Sequence, residues 1–122
     1  MALCRDHGAH RELEIQLEAY FAGELQAFQC SLDLQGTPFQ ILAWQALLQI
    51  PYGETRSYLD QAMAIGNPKA VRAIGGANNK NPVAIIVPCH RVIGKNGYLV
   101  GYGGGLEMKK YLLRLEGASW RE

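Results

Sequence analysis

Ser57-Tyr58-Leu59-Asp60-Gln61-Ala62-Met63-Ala64-Ile65-Gly66-Asn67-Pro68-Lys69-Ala70-Val71-Arg72-Ala73-Ile74 is the stretch on which the reading of this chain turns. Ser57 can cap a short helix that carries Leu59, Ala62 and Met63 inward and stops at Gly66. Asn67-Pro68 then offers a second cap and a first-turn proline, predicting a further helix through Lys69, Ala70, Val71, Arg72, Ala73 and Ile74 to about Ala77. Two short helices joined by a tight Gly-Asn turn read as a helix-turn-helix, the arrangement that presents its second helix to DNA. The same pattern also occurs in helical packing without DNA. The small residues Ala70 and Ala73 would let the second helix approach a groove closely, with Lys69 and Arg72 beside them.

Upstream, Thr37-Pro38-Phe39-Gln40 is a capping box with proline at the first helical position, and Phe39, Leu42, Ala43, Ala46, Leu47 and Ile50 recur on one face until Pro51-Tyr52-Gly53 breaks the run. Before it, Leu13, Leu17, Tyr20, Phe21 and Leu25 predict a helix over Glu12 to Leu25 with one buried stripe, followed by a short extended link from Phe28 to Leu34. Downstream, the apolar run Val83-Ala84-Ile85-Ile86-Val87 reads as a buried strand. Two glycine-rich loops follow, Gly94 to Gly97 and Gly101 to Gly105, around Tyr98-Leu99-Val100, and they can bring main chain close to a ligand. A last helix uses Leu106, Met108, Tyr111, Leu112 and Leu115 and stops at Gly117.

Directly after the predicted strand comes Pro88-Cys89-His90-Arg91-Val92-Ile93. Positive charge beside a cysteine favours the thiolate, the form that attacks an electrophile, so Cys89 reads as a nucleophile. Taken alone, the pair reads more readily as a buried cysteine next to a surface histidine.

The chain has 122 residues, 48% of them hydrophobic, enough for one core. Cys4, Cys30 and Cys89 are odd in number and lack zinc-type spacing, so they read as free thiols in a reducing compartment. Met1 to Gly8 is polar with no apolar leader, and no segment is long enough to span a membrane; a cytoplasmic location is expected, nuclear in a eukaryote. The net charge of +1 hides a segregation. From Gln61 to Leu106 there is no acid, while Lys69, Arg72, Lys80, Arg91 and Lys95 give that stretch +5 and leave the flanks at −4. A basic segment holding the candidate nucleophile suits a polyanion, although five charges over such a length also fit an ordinary solvated face.

The block Pro88-Cys89-His90-Arg91-Val92, preceded by Asn81-Pro82-Val83 and Arg72-Ala73-Ile74-Gly75-Gly76-Ala77, resembles the active-site segment of the O6-alkylguanine-DNA alkyltransferases. The resemblance runs from Gly36 to Gly117. It implies a mostly helical α/β domain over 36–122, of helix-turn-helix and winged-helix-like type with a short active-site strand, and makes residues 1–35 the tail of the family's preceding N-terminal domain. It further implies that the target guanine is flipped out of the duplex and its alkyl group passes irreversibly to Cys89. His90 would act on the cysteine through a water, Glu116 would orient and charge the histidine, and Asn81 would tether the active-site turn. Arg72 would enter the base stack and Tyr58 would rotate the target 3′ phosphate, with Ala70, Lys69 and Arg91 also on the DNA. Tyr58, Val92, Tyr102 and Gly103 would form the base pocket; many members carry serine where this chain has Gly103. No metal or small cofactor is implied. The partner is double-stranded DNA bearing O6-alkylguanine, with O4-alkylthymine a second substrate, and the protein is expected to be a monomer that works once.

Three rival readings remain at this point. Alkyltransferase-like proteins share the helix-turn-helix and the arginine, bind the lesion without repairing it, are about this short and typically replace the cysteine; Cys89 opposes that reading and the chain length favours it. A DNA-binding regulator would leave Asn81, Cys89, His90 and Glu116 together by accident. A cysteine hydrolase would require a turnover group that the chain does not offer.

Overall fold

Thr37 starts a helix as its capping box predicts: its hydroxyl accepts from the Gln40 amide at 3.1 Å, and the Gln40 side chain accepts from the Thr37 amide at 3.1 Å. The computed structural model describes residues 9–29, 32–99 and 105–121, so Cys4, Cys30, Tyr102 and Gly103 lie outside the described residues. Within these, the elements run α1 (Ala9–Phe21), α2 (Pro38–Leu48), β1 (Arg56–Ser57), α3 (Tyr58–Ala64), α4 (Val71–Asn79), β2 (Val92–Ile93) and α5 (Leu106–Glu116). The domain is mostly helical, with a two-stranded parallel ribbon pairing Arg56 with Val92 and Ser57 with Ile93. None of the described helices is long and apolar enough to cross a membrane.

The core divides in two. Leu13 from α1 joins Trp44, Leu47, Ile50, Val83, Ile86, Val87, Cys89 and Val92 in one cluster, while Ala43, Ala62, Ile74 and Ala77 form the seam between α2, α3 and α4. Small residues along that seam bring the helices close enough for polar ties. The Trp44 indole donates to the Ala77 carbonyl at 2.9 Å, and the Gln61 amide donates to the Ala43 carbonyl at 3.0 Å. Gln61 and Asn78 exchange a reciprocal pair of hydrogen bonds at 2.8 Å, which fixes α3 against α4.

Several expected faces are turned. On α3 the buried residues are Gln61 and Ala62, whereas Leu59 and Met63 are about half exposed, because the polar lock rather than the larger apolar groups faces the neighbouring helices. On α2, Leu42 is likewise outside while Trp44 is in. On α5 the inward stripe is Lys109, Leu112, Leu113 and Glu116, and Leu106, Met108 and Tyr111 face out. Asn67-Pro68 opens a turn closed by the Ala70 amide on the Asn67 carbonyl at 3.0 Å, and the helix proper starts only at Val71. α1 begins earlier than expected and ends at Phe21, short of Leu25.

The largest correction concerns residues 83–87, expected to be a strand. They form a tight turn in which the Val87 amide donates to the Val83 carbonyl at 2.9 Å and Ile85 takes a left-handed backbone (φ 78°). An apolar run of five residues marks burial, and burial alone does not choose between strand and turn. The short strand at the site lies after the cysteine, as β2. Asn78→Leu is expected to leave the Gln61 amide buried without its partner and to lower unfolding stability by about 1–3 kcal/mol in urea denaturation, with helical content unchanged in the folded state.

Candidate active site

Asn81 shapes the turn that carries the cysteine. Its side-chain amide donates to the Val87 carbonyl at 2.7 Å and its carbonyl accepts from the Val83 amide at 2.9 Å, so one side chain spans both ends of the apolar turn. Pro88 then leads into a single 3-10 turn, Cys89–Arg91. Successive side chains on such a turn diverge by roughly 120°, which separates Cys89 from His90 and sends Arg91 a third way. Pairing of β2 with β1 seats this turn beside Ser57, the cap of α3, and so places the reactive segment against the helix-turn-helix.

Glu116 gathers the polar groups. Its Oε2 accepts from the Tyr20 hydroxyl at 2.5 Å, from His90 Nε2 at 2.8 Å and from Arg91 Nη2 at 3.0 Å. Its Oε1 accepts from Arg91 Nε at 2.8 Å and from the Gly53 amide at 3.3 Å. Gly117 in the left-handed conformation ends α5 immediately afterwards, with the Gly117 and Ala118 amides returning to Arg114 and Leu113, and so holds the carboxylate at the inner corner of the helix. A glycine is also needed at position 53, where φ is 80° and a Cβ would come within 3.1 Å of the Glu116 carbonyl.

Burial raises the Glu116 pKa, but the hydrogen bonds from His90, Arg91 and Tyr20 outweigh it and hold the carboxyl down at about 2. Burial lowers the pKa of His90 against the pull of Glu116, with Arg91 and Lys109 adding to the decrease, so the resting imidazole is neutral. With Nε2 donating to a carboxylate, Nδ1 keeps its lone pair, and it is buried without a hydrogen-bond partner among the described residues. An imidazole so placed can accept a proton at Nδ1 while Nε2 stays bonded to the carboxylate.

Lys109 is a functional candidate that the sequence reading missed. Its side chain is fully buried, its ammonium donates to the Val92 carbonyl at 2.6 Å, and it is electrostatically coupled to Cys89. Burial brings its pKa down to about 8, an effect partly offset by Cys89, and the group stays protonated at neutral pH. The detectable signal was the spacing 109, 112, 113 and 116, an inward helical stripe in which two members are charged. Tyr20 was counted as core and is also a carboxylate ligand. Tyr58, half-buried between the two core clusters, is held protonated by burial and by its proximity to Cys89.

Two of the residues expected on the DNA are buried. Arg91 is 7% exposed, with its guanidinium committed to Glu116 and to the Ile50 carbonyl at 2.7 Å and stacked over Tyr52. Ala70 is also buried, because it closes the turn before α4. Lys69, Arg72 and Ala73 are exposed at the start of α4.

A family model described as 6-O-methylguanine DNA methyltransferase, DNA binding domain, matches residues 38–118. A methylated-DNA–protein-cysteine methyltransferase of Methanosarcina acetivorans is 63% identical over 108 residues, which cover 88% of this chain and 69% of that protein. The crystal structure of the Mycobacterium tuberculosis O6-methylguanine methyltransferase matches with a TM-score of 0.84 at 61% identity, over 92% of this chain and 68% of that one. A structure of M. tuberculosis OGT in complex with DNA matches with a TM-score of 0.84 at 62% identity, over 85% of this chain and 63% of that one.

Because the folded pKa of Glu116 lies below its ordinary 4.5, its contribution to stability is complete above that pH and is lost as pH falls towards 2. The melting temperatures of the wild type and Glu116→Gln are therefore expected to differ clearly above pH 5, with a dependence below pH 6.5 that follows the altered histidine, and to approach each other as pH falls from 4.5 to 2.

Proposed function

The chain belongs to the O6-methylguanine-DNA methyltransferase family, and from that membership we propose that it repairs DNA by transferring an alkyl group from O6 of guanine, and from O4 of thymine, to the sulfur of Cys89. The observation that carries the reading is a cysteine on a tethered turn next to a neutral histidine whose outer nitrogen is bound to a buried carboxylate.

In this reading the proton of Cys89 passes through a water to Nδ1 of His90, and Glu116 stabilises the imidazolium that forms. The Lys109 ammonium favours the thiolate at the same moment. The thiolate attacks the alkyl carbon; the S–C bond forms, the C–O bond breaks with its electrons going to oxygen, and the base departs after taking a proton. No group is assigned to cleave the thioether, so each molecule acts once. Asn81 holds the turn, and Arg91 serves the site from within by neutralising Glu116.

On the DNA side, Arg72 enters the stack from the minor groove and offsets part of the cost of flipping the base, Lys69 meets the backbone and Tyr58 turns the target phosphate. The flipped base is received by Tyr58, main chain at Val92, Tyr102 and Gly103. Residues 36–122 constitute the alkyltransferase domain, with 1–35 as the tail of the one before it. The protein acts as a monomer on double-stranded DNA, in the cytoplasm of a prokaryote or the nucleus of a eukaryote. The lesion-binding alternative lacks an acceptor, and Cys89 supplies one.

Incubation with a duplex containing O6-methylguanine, followed by intact-mass and peptide analysis, is expected to show one methyl group, on Cys89. An unmodified protein that still binds the lesion tightly would favour the lesion-binding reading. Cys89→Ala is expected to lose transfer and keep DNA binding. Arg72→Ala should slow repair of duplex more than reaction with free O6-benzylguanine; equal losses on both would remove the arginine from its proposed place. Lys109→Met is expected to slow reaction with free O6-benzylguanine by about tenfold or more at pH 7, an effect that weakens as the pH is raised and the thiol ionises without help.

A further inference from the structure

Tyr20 lies outside the stretch matched by the family model, which begins at residue 38, yet its hydroxyl reaches the carboxylate at the centre of the site. The ring is fully buried, packed edge-on against Phe21 (5.4 Å) and Tyr52 (6.2 Å) and tilted against Phe28 (5.4 Å). A phenylalanine would satisfy that packing. The hydroxyl is the part that requires a reason, since a buried hydroxyl costs stability unless it is bonded. It donates to Oε2, the same oxygen that accepts from His90 Nε2. With Arg91 Nη2 also on Oε2, three donors share one carboxylate oxygen, so each weakens what the others receive.

We propose that Tyr20 is a positioning residue for alkyl transfer: by donating to Glu116 Oε2 it limits how much of the carboxylate's charge reaches His90, and so sets the pH range over which the histidine can hold the proton of Cys89. The inference rests on the alkyl-transfer reading of the site. The groups facing the Glu116–His90 pair are Tyr20 from α1, Tyr52 and the Gly53 amide from the loop after α2, Cys89 and Arg91 from the 3-10 turn, and Lys109 from α5. Among these the cations oppose protonation of the histidine and the carboxylate favours it. Tyr20 adjusts the balance as a donor that does not itself titrate, since burial, and then the bond to Glu116, keep its phenol protonated throughout the working range. α1 thereby belongs to the active site.

The test compares wild type, Tyr20→Phe and Tyr111→Phe, the last an exposed tyrosine on the outer face of α5. His90 is titrated by NMR of its ring, and the rate of reaction with free O6-benzylguanine is followed against pH. Loss of the Tyr20 hydroxyl is expected to raise the His90 titration by roughly one pH unit, as suits one hydrogen bond to a charged group, and to move the acid limb of the rate profile, where the histidine must lose its proton to act as a base, upward with it. Tyr111→Phe should move neither. A stronger donor on the same ring, 3-fluorotyrosine at position 20, should shift both curves the opposite way, and it keeps the proposal open to refutation if Tyr20→Phe fails to fold. A uniform fall in rate with an unmoved His90 titration would reduce Tyr20 to an anchor for α1 and overturn the proposal. A wild-type chain that does not react at any pH would sink the alkyl-transfer reading itself, whatever the titrations show.

Discussion

A carboxylate closed off from water stays charged only if its surroundings supply the hydrogen bonds that water would. Glu116 draws them from the hydroxyl on α1, the amide of Gly53, the imidazole of His90 and two nitrogens of Arg91. Each of these fixes a different piece of chain, so the ion pair that charges the site also holds α1, the loop after α2, the cysteine turn and α5 in one arrangement. Replacing one partner leaves the others buried and uncompensated, and a pair of this kind therefore resists piecemeal change. The left-handed glycines at 53 and 117 follow from the same need, because both lie where backbone must pass close to that carboxylate or end its helix.

How much of this could be read in advance depended on the kind of physics involved. Local rules worked where the interaction is local. The capping box at Thr37, the cap at Ser57 and the stop at Gly117 are set within a few residues, and all three are where the pattern puts them. The five-residue apolar run at Val83 misled, because its backbone is fixed by the Asn81 side chain and not by strand pairing. Inward faces misled where a buried polar group took the place of an apolar one, as at Gln61 on α3 and Lys109 on α5. Arg91 looked like a surface cation because the acid that buries it is 25 residues further on. Of the candidate site, Asn81, His90 and Glu116 are brought together around the cysteine turn, while Tyr102 and Gly103 lie outside the described residues.

The helix-turn-helix and the cysteine turn could be thought of as separate modules. Here they share a strand pair. Ser57 caps α3 and pairs with Ile93, only four residues past the cysteine, so a displacement of α3 would be passed to the reactive turn through two hydrogen-bonded residues. Tyr58, next to the cap, packs against both core clusters and feels the charge of Cys89. Contact with a macromolecule at one side of this ribbon and ionisation at the other are mechanically adjacent.

The bond from Tyr20 to Glu116 joins residues 96 positions apart. A contact between residues so far apart requires the whole intervening chain to be arranged, and folds rich in such contacts form more slowly than folds held by local ones. The polar surroundings of the cysteine turn are therefore complete only when the first and last described helices are joined, and they depend on the whole fold rather than on the helix pair alone.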